Sequence, residues 1–269
     1  LEALPQETFF QRVCFPRVSL FVIWRLLTAL APTHVLVAHA HPKLLAGAWL
    51  WGNYSVLVYG NDFLAAQRRW HRPFFNYLLR QGKPIMAISR ATAVALQQII
   101  NQTAAIIYPG TEPNRFSPAR RRQNNETPIL LTLGRLVPRK GIDLMLLALP
   151  LILRETAVIY HIGGSGPDRP RLEKMVQALG LQHAVRFLGR VPDDELPQLY
   201  ASADMFVMPN REIPEEGSVE GFGIVFLEAS ASGLPVIAGR SGGAVEAVQD
   251  GITGLLVTPD SVEELATAV

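Results

Sequence analysis

Glu220 and Glu228 flank a glycine-rich turn in the stretch 217-GSVEGFGIVFLEAS-230. Gly221 and Gly223 are poor helix residues, whereas 224-IVFLEASA-231 can propagate a helix, so the spacing predicts a helix start near Gly223. The first amides of such a helix lack intrahelical acceptors and attract anions, and a glycine beside them lets a phosphate come close. Carboxylates on either side of an anion would repel it, so Glu220 and Glu228 are better suited to accepting hydrogen bonds from sugar hydroxyls. Taken alone, the stretch also fits two surface glutamates on a helix.

A second stretch changes that balance. In 131-LTLGRLVPRKGID-143, Arg135, Arg139 and Lys140 follow an apolar run and precede a helical pattern. Three cations in that setting suit a phosphate or diphosphate, although GxxxxGK[ST] is absent and a solvated basic turn remains the alternative. Cations at one strand end, with two hydroxyl-reading carboxylates and helix amides at another, match a nucleoside diphosphate sugar: ribose, diphosphate, hexose. Two further loops bear on this. In 160-YHIGGSGPDRPRLE-173, Gly164 and Gly166 follow a strand, but Pro167 and Arg169 break a dinucleotide fingerprint, leaving glycines for close ligand approach or a plain tight turn. Asp193, Asp194 and Glu195 could suggest a metal, yet directly before a helical pattern they read as an N-cap and first turn. No DxD occurs in the chain.

These loops need strands to hold them. Ten short apolar runs read as strands: 34–40, 55–60, 84–89, 105–110, 128–134, 157–163, 185–189, 204–209, 235–239 and 254–257. They are continuously apolar, as parallel strands covered on both faces are, and helical patterns such as 41–51, 91–100, 141–153, 168–180 and 194–203 separate them. The fold class is therefore α/β with parallel sheets, in which ligands bind outside the carboxyl ends of strands. The polar interval 117-SPARRRQNNETP-128 marks a linker, giving domains 1–120 and 121–269.

Composition removes several classes. With 269 residues, 49% hydrophobic and 18% charged, the chain is globular and large enough for two domains. A net charge of +2 argues against nucleic acid. The single cysteine, Cys14, forms no internal disulfide and belongs to no zinc-like cluster, so a cytoplasmic, reducing compartment is expected. The apolar stretch 18–32 carries Arg25 and falls short of the ~20 residues a membrane span needs, so it reads as a buried or interfacial helix. The chain opens on Leu1 and stops inside a helical pattern, which reads as a fragment.

Together, 134-GRLVPRKG-141, 163-GGSGPDRPRLE-173, 187-FLGRVPDDELPQLYASADMFVMPN-210, 220-EGFGIVFLE-228, 229-ASASGLPVIAG-239 and 242-GGAVEAVQDGITGLLV-257 resemble the GT4 family of retaining glycosyltransferases, most closely its phosphatidylinositol mannosyltransferase B-type branch. The resemblance implies a GT-B fold, two Rossmann-like domains facing a cleft. It implies that Arg135 and Lys140 hold the donor diphosphate, Glu220 contacts the transferred sugar, and Glu228 takes the ribose hydroxyls. Phe222, Gly223, Ile224 and Val225 would lie near sugar and phosphate, Gly164 and Gly166 would line the nucleotide pocket, and Arg190 and Val191 would lie against the base. The donor would be of the GDP-mannose or UDP-glucose type, with retention at the anomeric carbon and neither metal nor cofactor. The acceptor would be a glycan, lipid or small molecule.

The first domain resembles the family less. Tyr59, in 59-YGND-62, stands where many members carry histidine, putting a donor-sugar contact in doubt, and Asp62 lies beside it. His39 and His41 could face the acceptor, with a structural role expected for at least one; Ser89 should cap a helix. Trp24, Trp49 and Trp51 suit either a core or peripheral contact at the inner membrane face, with the core favoured. Relative to the family, the opening glycine-loop strand and the terminal crossing helix are missing. The alternatives are a non-catalytic or truncated sugar-nucleotide-binding module, and a GT-B-like epimerase or phosphorylase.

Overall fold

The computed structural model describes residues 19–69, 71–118 and 126–269. Cys14, the basic triplet Arg120, Arg121 and Arg122, and the expected boundary at 120/121 lie outside these residues. Two parallel sheets organise the chain. The first domain runs α1 (Leu20–Leu30), β1 (Val35–Val37), α2 (Pro42–Trp51), β2 (Tyr54–Val58), α3 (Asn61–Leu64), α4 (Arg72–Gln81), β3 (Ile85–Ala87), α5 (Arg90–Ile100) and β4 (Ala105–Ile106). Its four strands lie in the order β1-β2-β3-β4.

The second domain runs β5 (Ile129–Leu133), α6 (Ile142–Glu155), β6 (Ile159–Gly163), α7 (Arg169–Ala178), β7 (Val185–Gly189), α8 (Leu196–Ala201), β8 (Met205–Met208), α9 (Ile224–Ala231), β9 (Val236–Gly239), α10 (Ala244–Ala247), β10 (Gly254–Val257) and α11 (Val262–Ala268). The spatial order is β10-β9-β8-β5-β6-β7. The chain leaves β5 toward β6 and β7, then returns to lay β8 on the other side of β5. A crevice therefore opens beyond the carboxyl ends of β5 and β8, where loops diverge to opposite faces.

Of the continuously apolar strands, β5 and β9 are covered almost throughout, between a core of Leu130, Met145, Leu149 and Ile162 on one face and of Leu131, Phe206, Phe226 and Val236 on the other, whereas edge strands β4 and β7 depart from that expectation, β4 being exposed and β7 buried only at Val185. Phe116, on the first-domain side of the expected boundary, is buried in that second core, so the described stretch of the crossing segment around it packs with the second domain. Ser89 caps α5 as expected, its hydroxyl accepting from the Thr92 amide at 3.0 Å. Asp193–Glu195 instead form a 3-10 turn before α8 with no side-chain cap, the Pro192 carbonyl accepting the Glu195 amide.

Helix α1 buries only one stripe, Ile23 and Leu27, and exposes Leu20, Phe21 and Trp24. The tryptophans depart from the core expectation: Trp24 and Trp49 are exposed, while the indole of Trp51 donates to the Pro32 carbonyl at 2.9 Å and meets Trp24 edge-on. No described helix is long and apolar enough to cross a membrane.

Candidate functional site

The loops after β5, β6 and β7 form one rim. The Gly134 amide donates to the Gly163 carbonyl at 3.0 Å, Leu136 to Ser165 at 3.0 Å, and Gly164 to Gly189 at 2.6 Å. Gly164 is obligatory here: its φ is +126°, and a Cβ would sit 1.8 Å from the Gly134 carbonyl oxygen. At Gly166 a Cβ would sit 2.2 Å from the Leu136 carbonyl oxygen. Both glycines thus have a structural reason the sequence did not reveal, namely contact between two loops. Beyond them, Arg190 is exposed and Val191 packs partly against the second core.

Lys140 ends a short 3-10 turn after β5, its aliphatic stem passing Gly134. Its ammonium donates to Glu220 Oε2 at 2.7 Å, and both residues are buried. Arg139 Nε lies 3.9 Å from the same oxygen and has no hydrogen-bond partner. Arg135 is exposed, and among the described residues no carboxylate pairs with it. Buried Lys140 and part-buried Arg139 thus both face one carboxylate oxygen, with a third cation on the same strand end facing solvent. The local excess of positive charge is what an anionic ligand needs.

Glu220 is fixed from behind, its carbonyl accepting the Gly243 amide at 2.9 Å. Phe222 is buried and meets the Tyr108 ring at 5.8 Å between centroids. Gly223 takes the left-handed conformation (φ +88°) as the N-cap of α9, so the helix begins at Ile224 as predicted. The amides of Ile224 and Val225 stand in its first turn without intrahelical acceptors. Glu228, one helical turn on, accepts from the Tyr200 hydroxyl at 2.8 Å. Burial raises the Glu228 pKa above the ordinary carboxylate range; the Tyr200 hydrogen bond and nearby Arg115 oppose this, and Asp193 adds to it.

The first-domain candidates have structural duties. Asp62 is almost wholly buried and accepts from the amides of Ala40 at 2.9 Å and of Tyr59 and Phe63 at 3.0 Å, tying the loop after β1 to the loop after β2. His41 is the N-cap of α2, its Nδ1 accepting from the Lys43 amide at 3.3 Å; burial, then the neighbouring His39, Lys43, Arg69 and His71, lowers its pKa. Tyr59 is part-exposed, and its carbonyl lies against Gly221, where a Cβ would approach to 2.5 Å. The structure thus brings Tyr59 to the Glu220 loop, while Asp62 holds the turn.

Several site residues were missed in the sequence. Asn210, fully buried at the end of β8, donates to the Ser241 carbonyl and accepts the Gly239 amide, each at 3.1 Å, and so locks two strand ends together. Its position after a strand was a usable signal. Glu246 reaches the other domain, accepting from the Arg90 and Ala91 amides at 2.9 and 3.2 Å and from the Tyr108 hydroxyl at 3.0 Å. Asp143, on α6, joins Arg211 at 2.8 Å and Arg171 at 3.0 Å. Nothing in spacing alone reveals contacts so distant along the chain. Among the described residues, no group of three His, Cys, Asp or Glu side chains could hold a metal.

Two parallel-sheet α/β domains, with a switch-point crevice in the second, define the GT-B architecture of glycosyltransferases. Residues 114–269 match the family model described as Glycosyl transferases group 1, and the chain belongs to this GT4-type family. The chain is 42% identical over 193 residues to a Mycolicibacterium smegmatis GDP-mannose-dependent alpha-(1-6)-phosphatidylinositol monomannoside mannosyltransferase, covering 68% of this chain and 50% of that protein. It is 46% identical over 194 residues to the Mycobacterium tuberculosis protein of the same name, with the same coverage. The chain therefore spans about half the length of these curated relatives. Among solved structures it resembles Anabaena HepE in complex with UDP and glucose, with TM-score 0.74, 25% identity and coverage of 92% of this chain and 69% of that one. A sucrose-phosphate synthase from Thermosynechococcus elongatus shares the fold, with TM-score 0.77, 24% identity and coverage of 93% and 66%.

Proposed function

We propose that this chain binds a nucleoside diphosphate sugar, with GDP-mannose favoured, and serves transfer of the hexose to an acceptor hydroxyl with retention. The observation that carries this reading is the pairing of Lys140 and Arg139 with Glu220 beside the N-terminus of α9, with exposed Arg135 on the same loop after β5, in a chain of this family. The donor choice rests on the names of the mycobacterial relatives; UDP in the Anabaena structure makes UDP-glucose the natural competitor.

In this reading the diphosphate lies between Arg135, Lys140 and the amides of Ile224 and Val225. Glu228 accepts from ribose hydroxyls, and Glu220 orients the hexose. As the bond between the anomeric carbon and phosphate oxygen breaks, negative charge grows on the departing phosphate, where cations and amides already point. The acceptor hydroxyl attacks from the same face and passes its proton to a departing phosphate oxygen. Glu220, engaged by Lys140 at 2.7 Å, is poorly placed to be a free nucleophile, which supports this route over a double displacement. The three cations supply the charge compensation that a divalent metal would otherwise bring, so we propose metal- and cofactor-independent transfer.

For the acceptor we propose a polyol or glycolipid, with the protein cytoplasmic and in contact with the inner membrane face when the acceptor is a lipid. Exposed Phe21, Trp24 and Leu50 supply an apolar surface for that contact. A second reading, a nucleotide-sugar-binding module without transfer, draws on Tyr59 in place of the family histidine. Incubating the chain with GDP-mannose, UDP-glucose or ADP-glucose and a polyol acceptor, with and without EDTA, tests both. Transfer from GDP-mannose with an α-linkage, unaffected by EDTA, is expected; binding without transfer selects the module.

A further inference from the structure

We propose that Tyr200 is a positioning residue for nucleotide recognition: its hydroxyl fixes one oxygen of Glu228 so that the other is presented to the ribose diol. The proposal rests on the donor reading above and goes beyond it by naming the group that makes Glu228 selective.

Tyr200 lies on α8, fully buried, with its ring edge-on to Phe116 at 5.6 Å and tilted against Phe206 at 5.9 Å. Those contacts set the ring, and the ring sets where the hydroxyl points. The one hydroxyl proton goes to Glu228 Oε2 at 2.8 Å; the Val225 carbonyl at 3.5 Å is too distant to compete. Rotation about the last bond of a glutamate side chain is soft and broadly distributed. A hydrogen bond to Oε2 from a ring that cannot move removes that freedom, leaving Oε1 and the second lone pair of Oε2 to accept from two adjacent hydroxyls.

The alternative is that Glu228 merely satisfies a buried phenol. A backbone carbonyl would do that more cheaply than a half-buried carboxylate, whose charge burial disfavours. Three groups face Glu228: the Tyr200 phenol and Arg115, on the crossing segment, favour its anion, and Asp193, on the turn before α8, disfavours it. A carboxylate has only acceptors to offer a diol, so holding Glu228 ionised and holding it oriented serve the same end.

The test measures dissociation constants for GDP-mannose and for its 2′,3′-dideoxyribose analogue by calorimetry, using the 269-residue chain. Wild type should prefer the ribose form. Tyr200→Phe should weaken GDP-mannose by about tenfold, the size of one hydrogen bond to a charged group, and leave the dideoxy analogue unchanged. In a Glu228→Gln background the same change should have no further effect on the preference. A fluorinated tyrosine at position 200 keeps the packing and makes the phenol a stronger donor, so the acid limb of GDP-mannose binding should move to lower pH. Equal weakening of both ligands by Tyr200→Phe, or an acid limb unmoved by fluorination, overturns the proposal while leaving the donor reading intact. A wild-type chain that binds neither ligand, or does not distinguish them, removes the donor reading and this proposal with it.

Discussion

Lys140 and Glu220, eighty residues apart in sequence, bind each other through Nζ and Oε2 at 2.7 Å in a buried site. The two groups proposed to hold different parts of one ligand are therefore coupled directly to each other. An ammonium has three donors, so Lys140 can keep this contact and still offer hydrogen bonds to a phosphate. Removing Lys140 strands a buried carboxylate whose remaining cation is 3.9 Å away. Lys140→Met should lower unfolding free energy by about 3 kcal/mol in urea titrations, and adding Glu220→Gln should recover part of that loss.

Glu246 links the domains. Its carboxylate accepts the first two amides of α5 together with the Tyr108 hydroxyl, satisfying helix donors that Ser89 leaves open. Glu246→Ala should leave helix content unchanged in far-ultraviolet dichroism and cost about 1–2 kcal/mol in stability. A larger radius of gyration in X-ray scattering should accompany it as the domains separate more readily.

Asp143 makes stability depend on acid. Burial alone would raise its pKa, but Arg211 and Arg171 overcome that and hold it below the ordinary value. A depressed folded-state pKa contributes stability that is complete above the unfolded value of about 3.9 and is lost as pH falls through the folded one. Asp143→Asn should therefore destabilise by about 3 kcal/mol at pH near 7, since among the described residues the remaining carboxylate at Arg211 is exposed Asp260 at 3.3 Å. The gap between variant and wild type should narrow as pH drops below about 4 in thermal melts.

The alternation of apolar runs with helical patterns made the ten strands among the described residues and the principal helices readable, because parallel strands such as β5 and β9, covered on both faces, leave a continuous apolar signature. The site was half readable. Strand-end position picked out Lys140, Glu220 and Glu228, and helix propensity placed the start of α9 at Ile224. What stayed hidden depends on distant pairs. The close approach of the Gly134 carbonyl to Gly164, and the backbone amides that engage the Asp62 carboxylate and the His41 imidazole, carry no mark in the spacing of the motifs. Tyr200 and Glu246 carry no local pattern, since their partners are 28 residues away in one case and in the other domain in the second.

In the donor site proposed at the β5 and β8 strand ends, Arg135 offers the cleanest access because it is exposed. Calorimetry of GDP-mannose and of guanosine against wild type and Arg135→Ala tests that site directly. The site predicts that wild type binds GDP-mannose, that Arg135→Ala weakens it by about tenfold through loss of a charge-assisted phosphate contact, and that guanosine affinity is unchanged. Undetectable binding of GDP-mannose, or equal affinity in both proteins, would contradict it.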